Sequence, residues 1–189
     1  MNFHETSIDG LRRITLDAHA DSRGLFVEAF AAWWFEGRVA DQEFPVRMTN
    51  LALSDEKGTV RGLHWQDPPK AQGKIVFATT GRVWDAVVDL RPGSKTLGLY
   101  YGLELVPFEN ALFIPRGFAH GWQALESRAS ILYLLDNDYS PVHERGIRFD
   151  SVPWPLPAAR VSERDRAWPA LGEVLGKPAA HAGPGGAER

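Results

Sequence analysis

Between Phe26 and Asp150 the chain is a succession of short β-favouring segments, each closed within a few positions by Gly, Pro, Asn or Asp. No other feature narrows the possible folds as much. Candidate strands are Leu25–Phe30, Val46–Leu53, Lys74–Thr80, Val83–Leu90, Leu99–Leu105, Leu112–Ile114 and Ala129–Leu135. Prolines at 92, 107, 115 and 141 break the pattern before a long helix can form, because each removes a backbone donor and fixes φ. The one helical candidate ahead of the C-terminal region is short, at about Ala31–Val39. Seven or more short strands in 189 residues predict a single all-β domain over residues 1–176, a sandwich, jelly roll or barrel with short peripheral helices. From Lys177 the text becomes KPAAHAGPGGAER, and residues 177–189 are expected to form a mobile end.

Composition limits the chemistry. Apolar residues make up 44% of the chain, which suits a packed core and not a disordered polymer. Apolar runs such as Ile131–Leu135 are far too short to span a bilayer. The first ten residues lack the cationic and apolar blocks of a secretion signal, so a cytoplasmic protein is expected. With no cysteine there can be no disulfide, thiolate nucleophile or zinc–thiolate site. Net charge is −3, without the basic excess of a general nucleic-acid binder, and no nucleic-acid partner is expected. Acid–base chemistry must come from six His, the carboxylates, Tyr and Lys.

The clearest local unit reads KIVFATT, Gly81-Arg82, VWDAVVDL. Gly-X is suited to a two-residue type II′ turn, so a hairpin is expected that pairs Thr80 with Val83 and Lys74 with Asp89. Alternation then places Lys74, Asp85 and Asp89 on one face, and Ile75, Phe77, Trp84, Ala86 and Val88 on a core face. The charged face reads either as a solvated surface with a Lys74–Asp89 pair or as a polar binding site inside the fold.

Two histidines stand in unusual company. His64 lies in RGLHWQDPP, and His120 in IPRGFAHGWQ, a Pro-x-Gly-x-x-His string after an apolar strand. The second string resembles the second signature of the cupins, where that His is commonly a metal ligand. The first cupin signature requires His-x-His, and here the slot reads His64-Trp65-Gln66. Two imidazoles without a convergent carboxylate make a poor site for a first-row metal, so a metal-free, cofactor-free jelly roll of cupin type is the better reading. Each His also admits a plainer role as a hydrogen-bonded wall residue.

A wider resemblance joins these pieces. DSRGLFVEAF, RGLHWQDPPKAQGKIVFATTGRVWDAVVDLRPGSKTLG, IPRGFAHGWQAL, Tyr133 to Tyr139 with Pro141, and SERD occur in that order. Together they resemble the dTDP-4-dehydrorhamnose 3,5-epimerase family over about Ile8 to Leu171. The resemblance implies a jelly-roll homodimer with shared active sites and a dTDP-4-keto-6-deoxy sugar as substrate. The ketone at carbon 4 acidifies the hydrogens on carbons 3 and 5. A base on one face removes a proton, an acid on the other returns one, and a cation or donor steadies the enolate. By this resemblance His64 is the base, Asp165 the carboxylate orienting it, and Tyr133 the acid. Lys74 and His120 line the sugar site, Lys74 meeting the enolate oxygen. Asp85 holds His120 or Lys74, and Arg61 meets sugar or pyrophosphate. Arg23, Phe26 and Glu28 match a nucleotide-binding strand that commonly serves the neighbouring subunit. Asn50, Gln66 and Tyr139 complete the expected substrate contacts. Other readings stand beside these: Ser162-x-x-Asp165 also spells a helix-capping box, Tyr133 could be a core aromatic, and Arg23 and Glu28 could form a surface ion pair.

The chain departs from the family pattern at four places. Met48 and Ala52 stand where the family usually has Gln and Ser, and Leu134 and Asp136 where it has Lys and Thr. The expectation is therefore an epimerase acting at carbon 3, carbon 5 or both. A carbon-3-only enzyme and a non-catalytic sugar-nucleotide-binding cupin are the alternatives, and a metal cupin the more distant one.

Overall fold

The computed structural model describes residues 1–32 and 44–176, together with the backbone of 184–188. Its strands are β1 (Asn2–Glu5), β2 (Arg12–Thr15), β3 (Ala18–Asp21), β4 (Gly24–Val27), β5 (Met48–Ser54), β6 (Val60–Gln66) and β7 (Lys74–Thr80). There follow β8 (Val83–Asp89), β9 (Tyr100–Leu105), β10 (Asn110–Ile114), β11 (Phe118–Ala124), β12 (Ala129–Leu135), β13 (Glu144–Gly146) and β14 (Pro184–Glu188). Two short helices, α1 (Glu163–Ala167) and α2 (Leu171–Val174), lie at the periphery as expected. The expected helix at Ala31–Val39 falls largely outside the described residues, as does most of the C-terminal end from 177. Within that end, β14 runs parallel to β9. Among the described residues no helix is long and apolar enough to cross a membrane.

Two six-stranded sheets face each other, one ordered β1-β2-β10-β7-β12-β5 and the other β13-β6-β11-β8-β9-β14, with β3 and β4 forming a separate hairpin. This is a jelly roll of cupin type, built as two facing sheets. Among the described residues no hydrogen-bonded ladder runs from one sheet into the other to close it as a barrel.

The expected β7–β8 hairpin does not form. β7 pairs with β10 and β12 in one sheet, whereas β8 pairs with β11 and β9 in the other. Gly81 has the positive φ (62°) a tight turn requires, but the turn passes the chain between sheets. Turn chemistry fixes a reversal of direction and leaves the choice of sheet to tertiary packing. The charged face turns inward, the second of its two readings, and each sheet packs a core on both sides. Val76, Ala78, Val83 and Val87 point between the sheets with Leu103, Leu112, Phe118 and Trp122. Ile75 and Phe77 face outward beneath the N-terminal segments, and Trp84, Ala86 and Val88 outward beneath Ile147, Val152 and Leu171. Both faces of each sheet are thus covered, and Lys74 and Asp85 are directed into the interior. The expected Lys74–Asp89 pair is absent: Asp89 instead accepts from Arg91 (2.8 Å), Ser94 (2.6 Å) and Thr96 (2.6 Å) in the turn that follows its strand.

One glycine contact shapes the interior. Gly62 on β6 lies at φ 116°, and a Cβ there would meet Gly121 Cα at 2.6 Å and the His120 carbonyl oxygen at 2.8 Å. Side chains at Gly62 and Gly121 would hold β6 and β11 apart. Without them the strands close up with a register shift between His120 and Trp122, and His64 and His120 become direct cross-strand neighbours.

Candidate active site

A cleft of about 1070 Å³ opens between the sheets, at the upper end of the range for small-molecule sites and large enough for a nucleotide sugar. One wall is β6 and β11, carrying His64 and His120; the other is β7 and β12, carrying Lys74 and Tyr133. The two walls belong to different sheets, so groups on them approach a molecule in the cleft from opposite sides.

His64 Nε2 lies 2.6 Å from Asp165 Oδ1. The other oxygen of Asp165 accepts the Gly62 N–H at 3.3 Å. Burial works to raise the Asp165 pKa, but the hydrogen bonds from His64, the Gly62 amide and Ser162 outweigh it, leaving the carboxyl below its usual range and ionised at neutral pH. An ionised carboxylate only accepts, so in the neutral form of the ring the proton sits on Nε2 and the lone pair on Nδ1. Ser162 Oγ does accept the Asp165 N–H (3.0 Å), capping α1. Ser162 supplies the N-cap, while the Asp165 carboxylate is taken up by His64 and the Gly62 N–H, so among the described residues the return bond of a capping box is not made.

His120 Nε2 lies 2.8 Å from Asp85 Oδ2 in a pair that is almost wholly buried. Burial pushes the His120 pKa down despite Asp85, so this ring is neutral at pH 7. Asp85 Oδ1 is buried with no hydrogen-bond partner among the described residues. Lys74 Nζ donates to the His64 carbonyl at 3.3 Å. Burial lowers the Lys74 pKa to about 8, with Asp85 and Glu144 resisting the fall. Tyr133 is pushed well above the ordinary phenol value, first by burial and then by the Asp85 charge, and is fully protonated at neutral pH.

Nine of the thirteen candidates line the cleft: His64, Asp165, Tyr133, Lys74, Asn50, Arg61, Gln66, His120 and Tyr139. They do so in different ways. The Gln66 amide is fully engaged by backbone, donating to the Lys70 and Asp138 carbonyls and accepting from the Ser140 N–H, so it pins loops at the cleft edge. Arg61 is anchored by Ser54 Oγ (3.1 Å) and the Leu53 carbonyl (2.9 Å). Tyr139 donates to Glu144 at 2.6 Å at the mouth. Asp85 stands behind His120. Arg23, Phe26 and Glu28 do not line their own chain's cleft; they lie in or beside the β3–β4 hairpin, where Phe26 is 70% exposed and Arg23 pairs with Asp21.

Of the four departures, only Ala52 lines the cleft. Leu134 packs in the outer core, and Asp136 accepts from the Gly73 N–H (2.7 Å) and Arg116 (2.9 Å). Sequence reasoning missed Trp122, Glu144 and Arg164. Trp122 was discoverable from alternation, two positions after His120 on the same face; Glu144 and Arg164 meet only through the fold, in a direct ion pair. No cluster of three or more metal-ligating side chains occurs among the described residues.

The family model described as dTDP-4-dehydrorhamnose 3,5-epimerase matches residues 5–173. A relative of that description from Sinorhizobium fredii is 39% identical over 180 residues, covering 92% of this chain and 91% of its own. The dTDP-6-deoxy-D-glucose-3,5-epimerase of Legionella pneumophila, solved with dTDP-4-keto-L-rhamnose, superposes with a TM-score of 0.84 at 33% identity, over 95% of this chain and 99% of that one. A 3'-monoepimerase from Streptomyces bikiniensis, solved with dTDP-quinovose, superposes at 0.83 with 30% identity, over 92% and 90%.

Proposed function

Since the chain belongs to the dTDP-4-dehydrorhamnose 3,5-epimerase family and is an isomerase of dTDP-sugars, we propose that it inverts carbon 3, carbon 5 or both of a dTDP-4-keto-6-deoxyhexose by proton transfer across the cleft. His64 Nδ1 takes the proton next to the ketone, and the electron pair of the broken C–H bond moves into an enolate. Asp165 holds the ring by its Nε2–H and stabilises the imidazolium that results. Lys74 stands on the opposite wall as a compact cation for the enolate oxygen. Tyr133 then gives its proton to carbon from the face opposite His64, the carbonyl re-forms, and the centre is inverted. The phenolate is reprotonated from solvent.

The observation that supports this reading is that His64 and Tyr133 lie on facing sheets, with an ionised carboxylate bonded to the His64 ring. The exposed β3–β4 hairpin supports a second element. Arg23, Phe26 and Glu28 are turned away from their own cleft and are proposed to reach the partner's nucleotide site in a homodimer. A carbon-3-only reaction is the second reading. Ala52 favours it, because it removes a hydroxyl from the cleft wall where the family usually presents one.

The test is incubation with dTDP-4-keto-6-deoxyglucose in heavy water, following deuterium at each carbon by NMR. Incorporation at carbons 3 and 5 is the result expected of a 3,5-epimerase, and incorporation at carbon 3 alone marks the restricted enzyme. Binding without incorporation at either carbon would overturn the catalytic reading and leave a sugar-nucleotide-binding module.

A further inference from the structure

Tyr133 is the buried group whose chemistry depends most on its surroundings, and one neighbour touches the reacting atom. Trp122 Nε1 donates to Tyr133 Oη at 2.6 Å, across the interior from β11 to β12. Indole nitrogen carries a proton and cannot accept, so the direction of this bond is fixed. The phenol oxygen is the acceptor, and among the described residues its own O–H has no protein acceptor, which leaves that proton directed to the cleft. Trp122 is itself 1% exposed, with the Arg61 guanidinium 5.9 Å from its ring centroid. His120, two residues earlier on the same strand, meets the Tyr133 ring edge-on at 5.7 Å. One strand therefore sets both the ring and the oxygen of the phenol.

We propose that Trp122 is the positioning residue for the acid: its indole N–H fixes the Tyr133 oxygen and stabilises the phenolate left after proton donation. The proposal rests on the reading of Tyr133 as acid given above. In the step concerned, the Tyr133 O–H bond breaks, the enolate electron pair forms the new C–H bond, and the negative charge passes to the phenol oxygen. Burial and the Asp85 charge both oppose charge at that atom, while the Trp122 N–H and Arg61 favour it. A donor already aimed at the oxygen needs no reorganisation when charge develops there. An aromatic residue serving only as core would fill the same volume without this effect.

The two roles differ in how they partition the enolate. The enolate either recovers a proton from the His64 side, giving exchange without inversion, or receives one from Tyr133, giving inversion. Trp122→Phe keeps an aromatic ring and deletes the donor. In heavy water, with dTDP-4-keto-6-deoxyglucose, exchange should stay within about two-fold of the unsubstituted protein while inversion slows about ten-fold, less than the roughly 10²- to 10³-fold lost with a donor of an oxyanion hole because Arg61 still favours the phenolate. The ratio of exchange to inversion therefore rises about ten-fold. In a Tyr133→Phe background, adding Trp122→Phe should change neither rate. If Trp122→Phe folds poorly, benzothienylalanine at 122, with sulfur in place of the N–H, preserves the shape and should give the same shift. An unchanged ratio, or equal slowing of exchange and inversion in both backgrounds, would assign Trp122 to the core alone and overturn the proposal. Absence of exchange in the unsubstituted protein would sink the epimerase reading itself, an outcome distinguishable because it precedes any substitution.

Discussion

Two histidine–carboxylate pairs stand side by side on one wall of the cleft, alike in chemistry and in length yet unequal in what they can do. His64–Asp165 (2.6 Å) leaves the imidazole 31% exposed to the cleft, whereas His120–Asp85 (2.8 Å) leaves its ring 3% exposed. Asp165 arrives from α1, about a hundred residues along the chain, and its second oxygen is satisfied by the Gly62 amide. Asp85 comes from the neighbouring strand, and its second oxygen has no partner among the described residues. A base must meet its substrate and must be able to carry charge afterwards. Under the proposed function, solvent access and a carboxylate hydrogen-bonded through both oxygens suit His64 to the role of base, while burial keeps His120 neutral and suits it to lining the cleft.

Substitutions can break that contrast. His64→Ala should reduce deuterium incorporation by about 10²- to 10⁴-fold, the usual range for a lost general base. His120→Ala should lose far less in kcat and more in KM; equal losses from the two, with both variants folded, would erase the distinction. Asp165→Asn comes next, with an expected loss of about 10²-fold or more. An amide can donate to Nε2 and thereby move the ring proton onto Nδ1, removing the lone pair that acts as base. Nitrogen-15 shifts of the His64 ring would report the exchanged tautomer.

Asp85→Ala should act mainly on stability. The variant leaves the neutral His120 ring N–H buried without its acceptor, at a cost of about 1–3 kcal/mol, measurable as a lower urea midpoint at unchanged m. The smallest effect concerns pH. In the proposed reaction Lys74 steadies the enolate only as a cation, and burial lowers its pKa to about 8, so turnover should fall as pH rises through about 8. That alkaline limb should vanish in Lys74→Met, which is slow throughout. The stability effect has its own sign. The folded pKa lies below the unfolded one, so the unfolded chain binds more protons between pH about 8 and the model-peptide value of 10.5. Burying Lys74 therefore costs stability below pH 8, and the cost is relieved across that window.

The sequence made parts of this site readable and hid others for physical reasons. His64, His120, Tyr133 and Asp165 each stand in a motif long enough to be recognised, and the short-strand pattern pointed to a sandwich, jelly roll or barrel, which the motifs narrowed to a jelly roll. The Gly81-Arg82 turn misled because a tight reversal is equally compatible with one sheet or with a crossing between two. Of the two readings of the charged face, the interior polar site is the one found for Lys74 and Asp85, while Ile75, Trp84, Ala86 and Val88 are buried in the outer core clusters. Strands β6 and β11 were not anticipated, since Gly62 and Gly121 lower β propensity at the place where the strands approach most closely. Trp122 carried no reading from its sequence position, and only the fold brings its N–H to Tyr133. Glu144 and Arg164 lie twenty residues apart, beyond any local periodicity.

The claim on which everything else depends is that base and acid act from opposite walls. Comparing Tyr133→Phe with His64→Ala in heavy water tests it most directly, by following deuterium incorporation and inversion in the same NMR samples. Tyr133→Phe should retain incorporation, because His64 still forms the enolate, and should lose inversion, because nothing returns a proton from the far face. His64→Ala should lose both. Inversion by Tyr133→Phe at the rate of the unsubstituted protein, or incorporation by His64→Ala at an undiminished rate, would contradict the account.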